Sequence, residues 1–124
     1  DPRFYETSIA DAVAAGERFV VVFATPAFCE TRMCGPTLET VKSVARDFPA
    51  VTFINVEPYR MEVRDGRLQP ELDANGQLQA AEWTSAWGLR SEPYVFVVAA
   101  DGTIAAKFEG VLGEDELRGA LDAL

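Results

Sequence analysis

The only two cysteines of the chain lie in the stretch FATPAFCETRMCGPTLE, which runs from Phe23 to Glu39. They are Cys29 and Cys34, five positions apart, and the second is followed directly by Gly35-Pro36. Two thiols at this spacing could form a reversible disulfide, bind a metal or act only as a structural crosslink. Which chemistry applies depends on the other residues that the chain offers.

Composition excludes several kinds of site. The 124 residues include no histidine, so a Ser-His-Asp triad and a Cys-His pair are impossible. A zinc site would need both cysteines and two carboxylates, an uncommon ligand set. The net charge of −9, without a basic stripe, argues against binding to nucleic acid or to anionic membrane surfaces. Thiol chemistry is therefore the best candidate, and we expect no metal and no cofactor besides a redox-active disulfide.

A strand and a helix should position the two thiols. The run Phe19–Phe23 is β-branched and aromatic throughout, which predicts a strand buried on both faces. From Pro36 the apolar residues recur at helical spacing until Pro49. The unpaired N–H groups and the positive dipole end of this helix would favour a thiolate at Cys34. We therefore predict Cys34 as the more thiolate-like sulfur and Cys29 as its resolving partner.

The rest of the chain predicts an α/β domain. Residues 58–78 carry the turn signals Asp65-Gly66 and Asn75-Gly76 and are interpreted as an insertion with its own hairpin or a surface lobe. The other predicted elements are a helix from Thr7 or Ser8 to Gly16, a strand at 51–56, a helix from about Gln79 through Trp83 and Trp87, strands at 94–98 and 103–108, and a helix at 114–124. Both tryptophans are expected to pack into the core. The order α-β-α-β-(insert)-α-β-β-α indicates a three-layer sandwich with a central mixed sheet in one domain, 1–124.

This order, with the cysteines between the first strand and the second helix, resembles the thioredoxin-like superfamily. Cys34-Gly35-Pro36 repeats most of the thioredoxin active-site motif. The segment SEPYVFVVAADGTIAAKFEG, Ser91 to Gly110, resembles the part of that fold in which a cis-proline precedes a hairpin. The insertion and the hairpin look more like the extracytoplasmic TlpA and redoxin branch. The resemblance implies a thiol–disulfide oxidoreductase with a reversible Cys29–Cys34 disulfide and a cis bond before Pro93.

The chain departs from the family pattern at three positions. The usual motif is C-x-x-C, but its second cysteine position is Thr37 here, so the pair becomes C-x4-C. Thioredoxin buries an acidic residue in this strand, and that residue transfers protons. The corresponding position is Val22 here, so the resemblance implies that the proton-transfer group is missing from this strand. In the family the N-terminal cysteine is usually the nucleophile, which favours Cys29, whereas the helix dipole favours Cys34. The order of attack therefore stays open.

Charges near the motif should tune the thiols. Arg32 would stabilise a thiolate, whereas Glu30 and Glu92 would destabilise it. These opposing charges favour a middling or reducing couple. The predicted site consists of catalytic Cys29 and Cys34, supported by Gly35, Pro36, Arg32, Thr37, Glu92 and Pro93.

Three other functions compete with this one. The first is a non-catalytic, thioredoxin-like binding domain with a structural disulfide. The second is a peroxiredoxin-like peroxidase with Cys34 as the peroxidatic cysteine, because Thr31 to Cys34 fits the T-x-x-C part of the peroxidatic motif. Two features disfavour it: Pro26 lies one residue too far upstream, and Arg90 is a doubtful replacement for the arginine of that family. The third is a copper site like that of Sco-type chaperones, which is disfavoured because those proteins add a histidine.

Partners and compartment follow from the same resemblance. We expect protein thiols or disulfides as substrates, a redox partner protein and a monomeric state. We do not expect this segment to insert into a membrane. A cysteine pair without other thiols fits an oxidising compartment. The expected location is extracytoplasmic: the bacterial periplasm, the medium or a membrane anchor.

Overall fold

A mixed sheet flanked by helices forms the centre of the computed structural model, which describes residues 1–25, 28–29 and 31–124. The elements are a 3₁₀ helix Pro2–Tyr5, α1 Ile9–Ala14, β1 Phe19–Phe23, α2 Cys34–Ala45, β2 Thr52–Val56, β3 Met61–Arg64, β4 Arg67–Pro70, α3 Glu82–Ala86, β5 Tyr94–Val98, β6 Ile104–Glu109 and α4 Glu114–Asp122. This order confirms the predicted fold class.

The central sheet has the strand order β2-β1-β5-β6. Strand β1 pairs in parallel with β2 and antiparallel with β5, which in turn pairs antiparallel with β6. Every residue of the two middle strands, β1 and β5, is buried. Strands covered on both faces need no alternation of apolar and polar residues, which explains their continuous apolar runs.

Two apolar clusters lie on opposite faces of the sheet, because successive side chains of a strand point in opposite directions. On one face, Val20 and Val22 of β1 pack with residues of the 3₁₀ helix, α2 and α4. On the other face, Phe19, Val21 and Phe23 pack with α1 and with Trp87. The sulfur-bearing Cys34 belongs to the first cluster, so α2 is anchored to the sheet from its first residue.

The segment at 58–78 contains the predicted hairpin. Strands β3 and β4 pair with each other as a separate two-stranded sheet. Asp65 and Gly66 join them with φ angles of 53° and 74°, as a two-residue turn with both central φ angles positive requires. Two bridges, Tyr59 with Ala80 and Leu72 with Leu78, return the segment to the start of α3. That residues 1–124 act as one domain with an insertion stays a prediction.

Helix α3 differs from its prediction. It has only five residues, and Trp83 is 46% exposed, so the expectation that Trp83 packs into the core is wrong. Its indole N–H donates to the backbone carbonyl of Glu57 at 2.7 Å, and a tryptophan with this partner is satisfied at the surface. Trp87 does pack inward, against the rings of Phe23 and Phe96.

Candidate active site at the Cys29–Cys34 disulfide

The two cysteines form a disulfide with their Cα atoms 6.0 Å apart. Cys34 is the first residue of α2 and is 0% exposed, whereas Cys29 lies half-buried in the preceding loop. The first hydrogen bond of the helix runs from the Thr37 amide to the Met33 carbonyl at 3.0 Å. The N–H groups of a first turn have no acceptor within the helix, so the positive end of the α2 dipole lies at Cys34.

Glu92 brings a buried carboxylate to the other sulfur. Its Oε1 atom lies 3.6 Å from the Sγ of Cys29, and the residue is 4% exposed. The hydroxyl of Tyr59 donates a hydrogen bond to Oε2 of the same carboxylate. The peptide bond that follows, between Glu92 and Pro93, is cis. The structure thus places the negative charge that the sequence suggested directly beside Cys29.

Thr31 joins the cysteine loop to the cis-proline loop. Its hydroxyl donates to the backbone carbonyl of Glu92 at 2.8 Å, and the same Oγ1 atom lies 3.3 Å from the Sγ of Cys29. In the sequence Thr31 stood out only as part of T-x-x-C. The sequence does not indicate its hydrogen bond to Glu92, 61 positions away, because a threonine hydroxyl in a loop has many possible partners.

Thr37, at the family's second cysteine position, has a structural contact instead of a thiol. It is buried, and its hydroxyl donates to the carbonyl of Gly110 at 2.9 Å. The amide of Gly110 in turn donates to the carbonyl of Pro93 at 3.0 Å. These two bonds connect the first turn of α2 to the cis-proline loop, so the two halves of the site are held at a fixed separation.

The other predicted supporting residues lie near the site, and the described residues give them no contact that defines a role. Arg32 is exposed with a φ of 64°. Pro36 lies in the first turn of α2, where its missing N–H costs no helical bond. A Cβ atom at Gly35 would meet nothing within 4 Å. Their roles stay predictions, and Glu30 and Pro26 lie outside the described residues.

The base of the insertion supplies two groups that the sequence analysis did not predict. Tyr59 reaches Glu92 from this segment, and its own amide donates to the Glu57 carboxylate at 3.2 Å. Burial raises the pKa of Glu57, and the charge of Glu92 raises it further, against the opposing effects of the Thr25 hydroxyl and the Tyr59 amide. The segment is anchored because the Pro58 carbonyl accepts a hydrogen bond from the hydroxyl of Thr84 at 2.6 Å.

In the part of the chain that the structure describes, the disulfide and its neighbouring glutamate also form a group of possible metal ligands. One ligand atom from each of Cys29, Cys34 and Glu92 lies within 4.8 Å of the others. Two thiolates and a carboxylate are donors that zinc accepts, but here the two sulfurs are bonded to each other. A metal could therefore bind this set only after reduction, and the expectation of no metal stays a prediction.

The sheet order and the disulfide at the start of α2 are features of a thioredoxin-like protein. The family model of the thioredoxin-like domain matches residues 5–124, and the chain therefore belongs to this family. No protein of curated function matches the sequence. Among the described residues, no helix has both the length and the apolar character needed to cross a membrane.

Solved structures of similar fold include three from bacteria. A secreted disulfide oxidoreductase of Mycobacterium tuberculosis, homologous to E. coli DsbE, is 20% identical, with a TM-score of 0.63 over 92% of this chain and 87% of that chain. The reduced desulfothioredoxin of Desulfovibrio vulgaris Hildenborough is 17% identical, with a TM-score of 0.63 over 96% and 91%. An exposed lipoprotein thioredoxin of Streptococcus pneumoniae is 16% identical, with a TM-score of 0.58 over 89% and 87%. At these identities the likeness establishes the fold alone.

Proposed function

We propose that this chain is a thiol–disulfide oxidoreductase that exchanges its Cys29–Cys34 disulfide with the thiols and disulfides of other proteins. The observation that carries the proposal is the asymmetry of the disulfide. One sulfur lies at the positive end of α2 and is inaccessible, whereas the other is half-buried in a loop. A crosslink that only stabilises the fold requires no such difference between its two sulfurs.

This asymmetry favours an order of events in which Cys29 is attacked first and Cys34 is the resolving cysteine, which reverses the sequence-based assignment of Cys29 as the resolving partner. A substrate thiolate attacks the Sγ of Cys29, the S–S bond breaks, and Cys34 leaves as a thiolate that the helix N-terminus stabilises. A thiol of lower pKa leaves faster. The second substrate thiolate then attacks the substrate's own sulfur in the mixed disulfide and displaces Cys29. The substrate loses two electrons and two protons, and the cysteine pair gains them; the reverse sequence reduces a substrate disulfide.

An exposed apolar surface beside the disulfide supports a protein substrate. Met33, directly before Cys34, is 40% exposed, and Val111 is 75% exposed. The Met33 sulfur lies 3.6 Å from the position that a Cβ atom of Gly110 would occupy, so this methionine rests on the end of β6. Flexible methionine side chains adapt to varied partners, which suits a surface that receives different proteins.

The proposal extends to partners and compartment. A redox partner protein restores the cysteine pair, and residues 1–124 act as a single monomeric domain. An extracytoplasmic location is supported by two neighbours of the same fold, one described as secreted and one as an exposed lipoprotein. In such compartments disulfides persist.

Redox titration together with a turnover assay tests this function. The protein is equilibrated in dithiothreitol and glutathione buffers, the thiols are alkylated, and the dithiol fraction is measured by mass spectrometry. Catalysis of insulin reduction is compared with the double variant Cys29→Ser/Cys34→Ser. If the disulfide is only an inert crosslink, its reduction potential should lie below about −300 mV and its thiols should have pKa values near ~8.5. The parent should then reduce insulin no faster than the double variant. Rapid consumption of hydrogen peroxide with a sulfenic acid at Cys34 would instead indicate a peroxidase.

A further inference from the structure

A buried glutamate beside a disulfide needs a physical explanation. Glutamate is among the residues that are almost never fully buried unless paired, and a buried carboxylate is costly unless it is hydrogen-bonded. Glu92 is 4% exposed, and its Oε1 faces the Sγ of Cys29 at 3.6 Å. The hydrogen bond from Tyr59 holds the other oxygen, Oε2. The carboxylate is therefore oriented with one oxygen towards the reacting sulfur.

Thiol–disulfide exchange has to move protons at this place. A thiol must lose its proton before it attacks, because only the thiolate is nucleophilic. Cys34 has no exposed surface, so bulk water cannot take its proton directly. The sulfurs of Cys29 and Cys34 and a carboxylate oxygen of Glu92 all lie within 4.8 Å of one another. The buried carboxylate thus lies 3.6 Å from the sulfur of Cys29 and no more than 4.8 Å from the sulfur of Cys34, a gap that one water molecule can bridge in proton transfer.

We propose that Glu92 is the catalytic proton carrier of the Cys29–Cys34 couple, a role that rests on the exchange function proposed above. As a carboxylate it accepts the proton of the Cys29 thiol, and the resulting thiolate attacks a substrate disulfide. The substrate thiolate that leaves receives the proton from the carboxylic acid. Glu92 then accepts the proton of Cys34, whose thiolate attacks Cys29 in the mixed disulfide. The second substrate thiolate leaves and is protonated in the same way.

The surroundings of Glu92 offer a route for this proton to solvent. A cavity of about 220 Å³ is lined by Glu92, Tyr59, Thr31 and Arg90 among others. Water occupies roughly 30 Å³ per molecule in the liquid, so the cavity can hold several water molecules. Glu92 thus contacts the sulfur of Cys29 through Oε1 and also contributes to the lining of a cavity that can hold water.

The variant Glu92→Gln separates proton transfer from a purely electrostatic effect. Glutamine keeps the shape and can still accept the hydrogen bond from Tyr59, but it carries no charge and accepts no proton from a thiol. The thiolate fraction of Cys29 is measured from the pH dependence of iodoacetamide alkylation in a Cys34→Ser background. The exchange rate is measured in a single turnover of the reduced two-cysteine protein with bis(hydroxyethyl) disulfide. The titratable or charged neighbours of Glu92 in the described part of the chain include both cysteines, Tyr59, Glu57 and Arg90.

The proposal expects the two readouts to move in opposite directions. Without the neighbouring negative charge the thiolate fraction of Cys29 rises at neutral pH. Without the proton carrier the exchange rate falls by about 100-fold or more, the lower end of the range for general acid–base catalysis. A rise in both quantities would reduce Glu92 to an electrostatic influence, and no change in either would remove it from the mechanism.

Two further variants control this experiment. Glu82→Gln removes an exposed carboxylate at the start of α3 and is expected to change either quantity by less than about twofold. Glu92→Asp keeps the carboxylate but moves it away from Cys29 by one methylene, so the exchange rate should fall less than in Glu92→Gln. An exchange rate of Glu92→Asp equal to or above that of the parent contradicts the proposal, and this test holds even if Glu92→Gln does not fold. If the parent protein itself shows no exchange, the proposed function fails rather than the role of Glu92.

Discussion

The two sulfurs of the disulfide lie in environments that are built in different ways. Regular structure surrounds Cys34, which begins α2 and packs in the cluster between that helix and the sheet. Loops surround Cys29, where side-chain hydrogen bonds connect Thr31, Glu92 and Tyr59. Backbone geometry therefore determines the position of Cys34, whereas side chains distant in sequence supply the polar groups around Cys29.

This difference separates the observables that each region should control. The helix start acts through a dipole and through packing, so changes there should alter stability and the ability of Cys34 to leave. The loop side acts through hydroxyl and carboxyl groups, so changes there should alter exchange rates with less effect on folding. Variants on the two sides of the disulfide should therefore differ in which of these quantities they change.

The largest effect is expected from removing one sulfur at a time. Cys34→Ser should abolish turnover and accumulate a mixed disulfide between Cys29 and the substrate, because the half-buried Cys29 stays accessible and nothing resolves the complex. Cys29→Ser should also abolish turnover but accumulate little mixed disulfide, since Cys34 is 0% exposed. Non-reducing gels and mass spectrometry with insulin measure the trapped species. Trapping mainly by the Cys29→Ser variant would reverse the assigned order of attack.

Stability should be concentrated on the helix side. Leu38, in the turn of α2 that follows Cys34, is buried, and Leu38→Ala should lower the free energy of unfolding by about 2–5 kcal/mol. The matched substitution in the insertion is Leu72→Ala, at a residue that is 48% exposed, and should cost within roughly 0.5 kcal/mol. Urea denaturation of both variants measures the difference. Similar losses would show that the insertion contributes to the fold as much as the sandwich does.

The helix side of the site could be predicted from the sequence. A continuous apolar run identified β1, helical periodicity after Pro36 identified α2, and the position of Cys34 between them follows from chain order. The start of α2 at Cys34 itself agrees with the prediction that this residue meets the helix dipole. These features depend on local pattern and topology, which a single sequence displays directly.

The loop side could be predicted only in part. The sequence indicated Glu92 as a charge near the thiols, but not that its carboxylate contacts Cys29 or that Tyr59 donates to it across 33 positions. The rotamers of side chains in loops decide such contacts, and no periodicity encodes them. The exposure of Trp83 was missed for a related reason, because its hydrogen bond to Glu57 depends on where the insertion returns to the sandwich.

A smaller effect is expected from the contact between the insertion and the site. Tyr59→Phe removes the hydroxyl that donates to Glu92, and hydrogen bonds to charged groups contribute about 1.5–3 kcal/mol. The exchange rate should fall severalfold because the carboxylate is no longer held towards Cys29. Tyr5→Phe is the control, since Tyr5 is exposed and donates to Asn55 at 2.7 Å; its rate should match the parent's. Equal rates for Tyr59→Phe and the parent would confine the insertion to a structural role.

The smallest effect is a pH-dependent change in stability at Glu57. Burial, with the charge of Glu92 adding to it, raises the pKa of this carboxyl in the folded state. The ionised form is therefore less favourable in the folded protein than in the unfolded chain. This penalty is absent below the unfolded pKa and grows as pH rises through the folded pKa. Glu57→Gln should consequently raise the free energy of unfolding at neutral pH and leave it nearly unchanged in acid, as urea denaturation at both pH values would measure. A gain of equal size at both pH values would mean that packing, not ionisation, produces it.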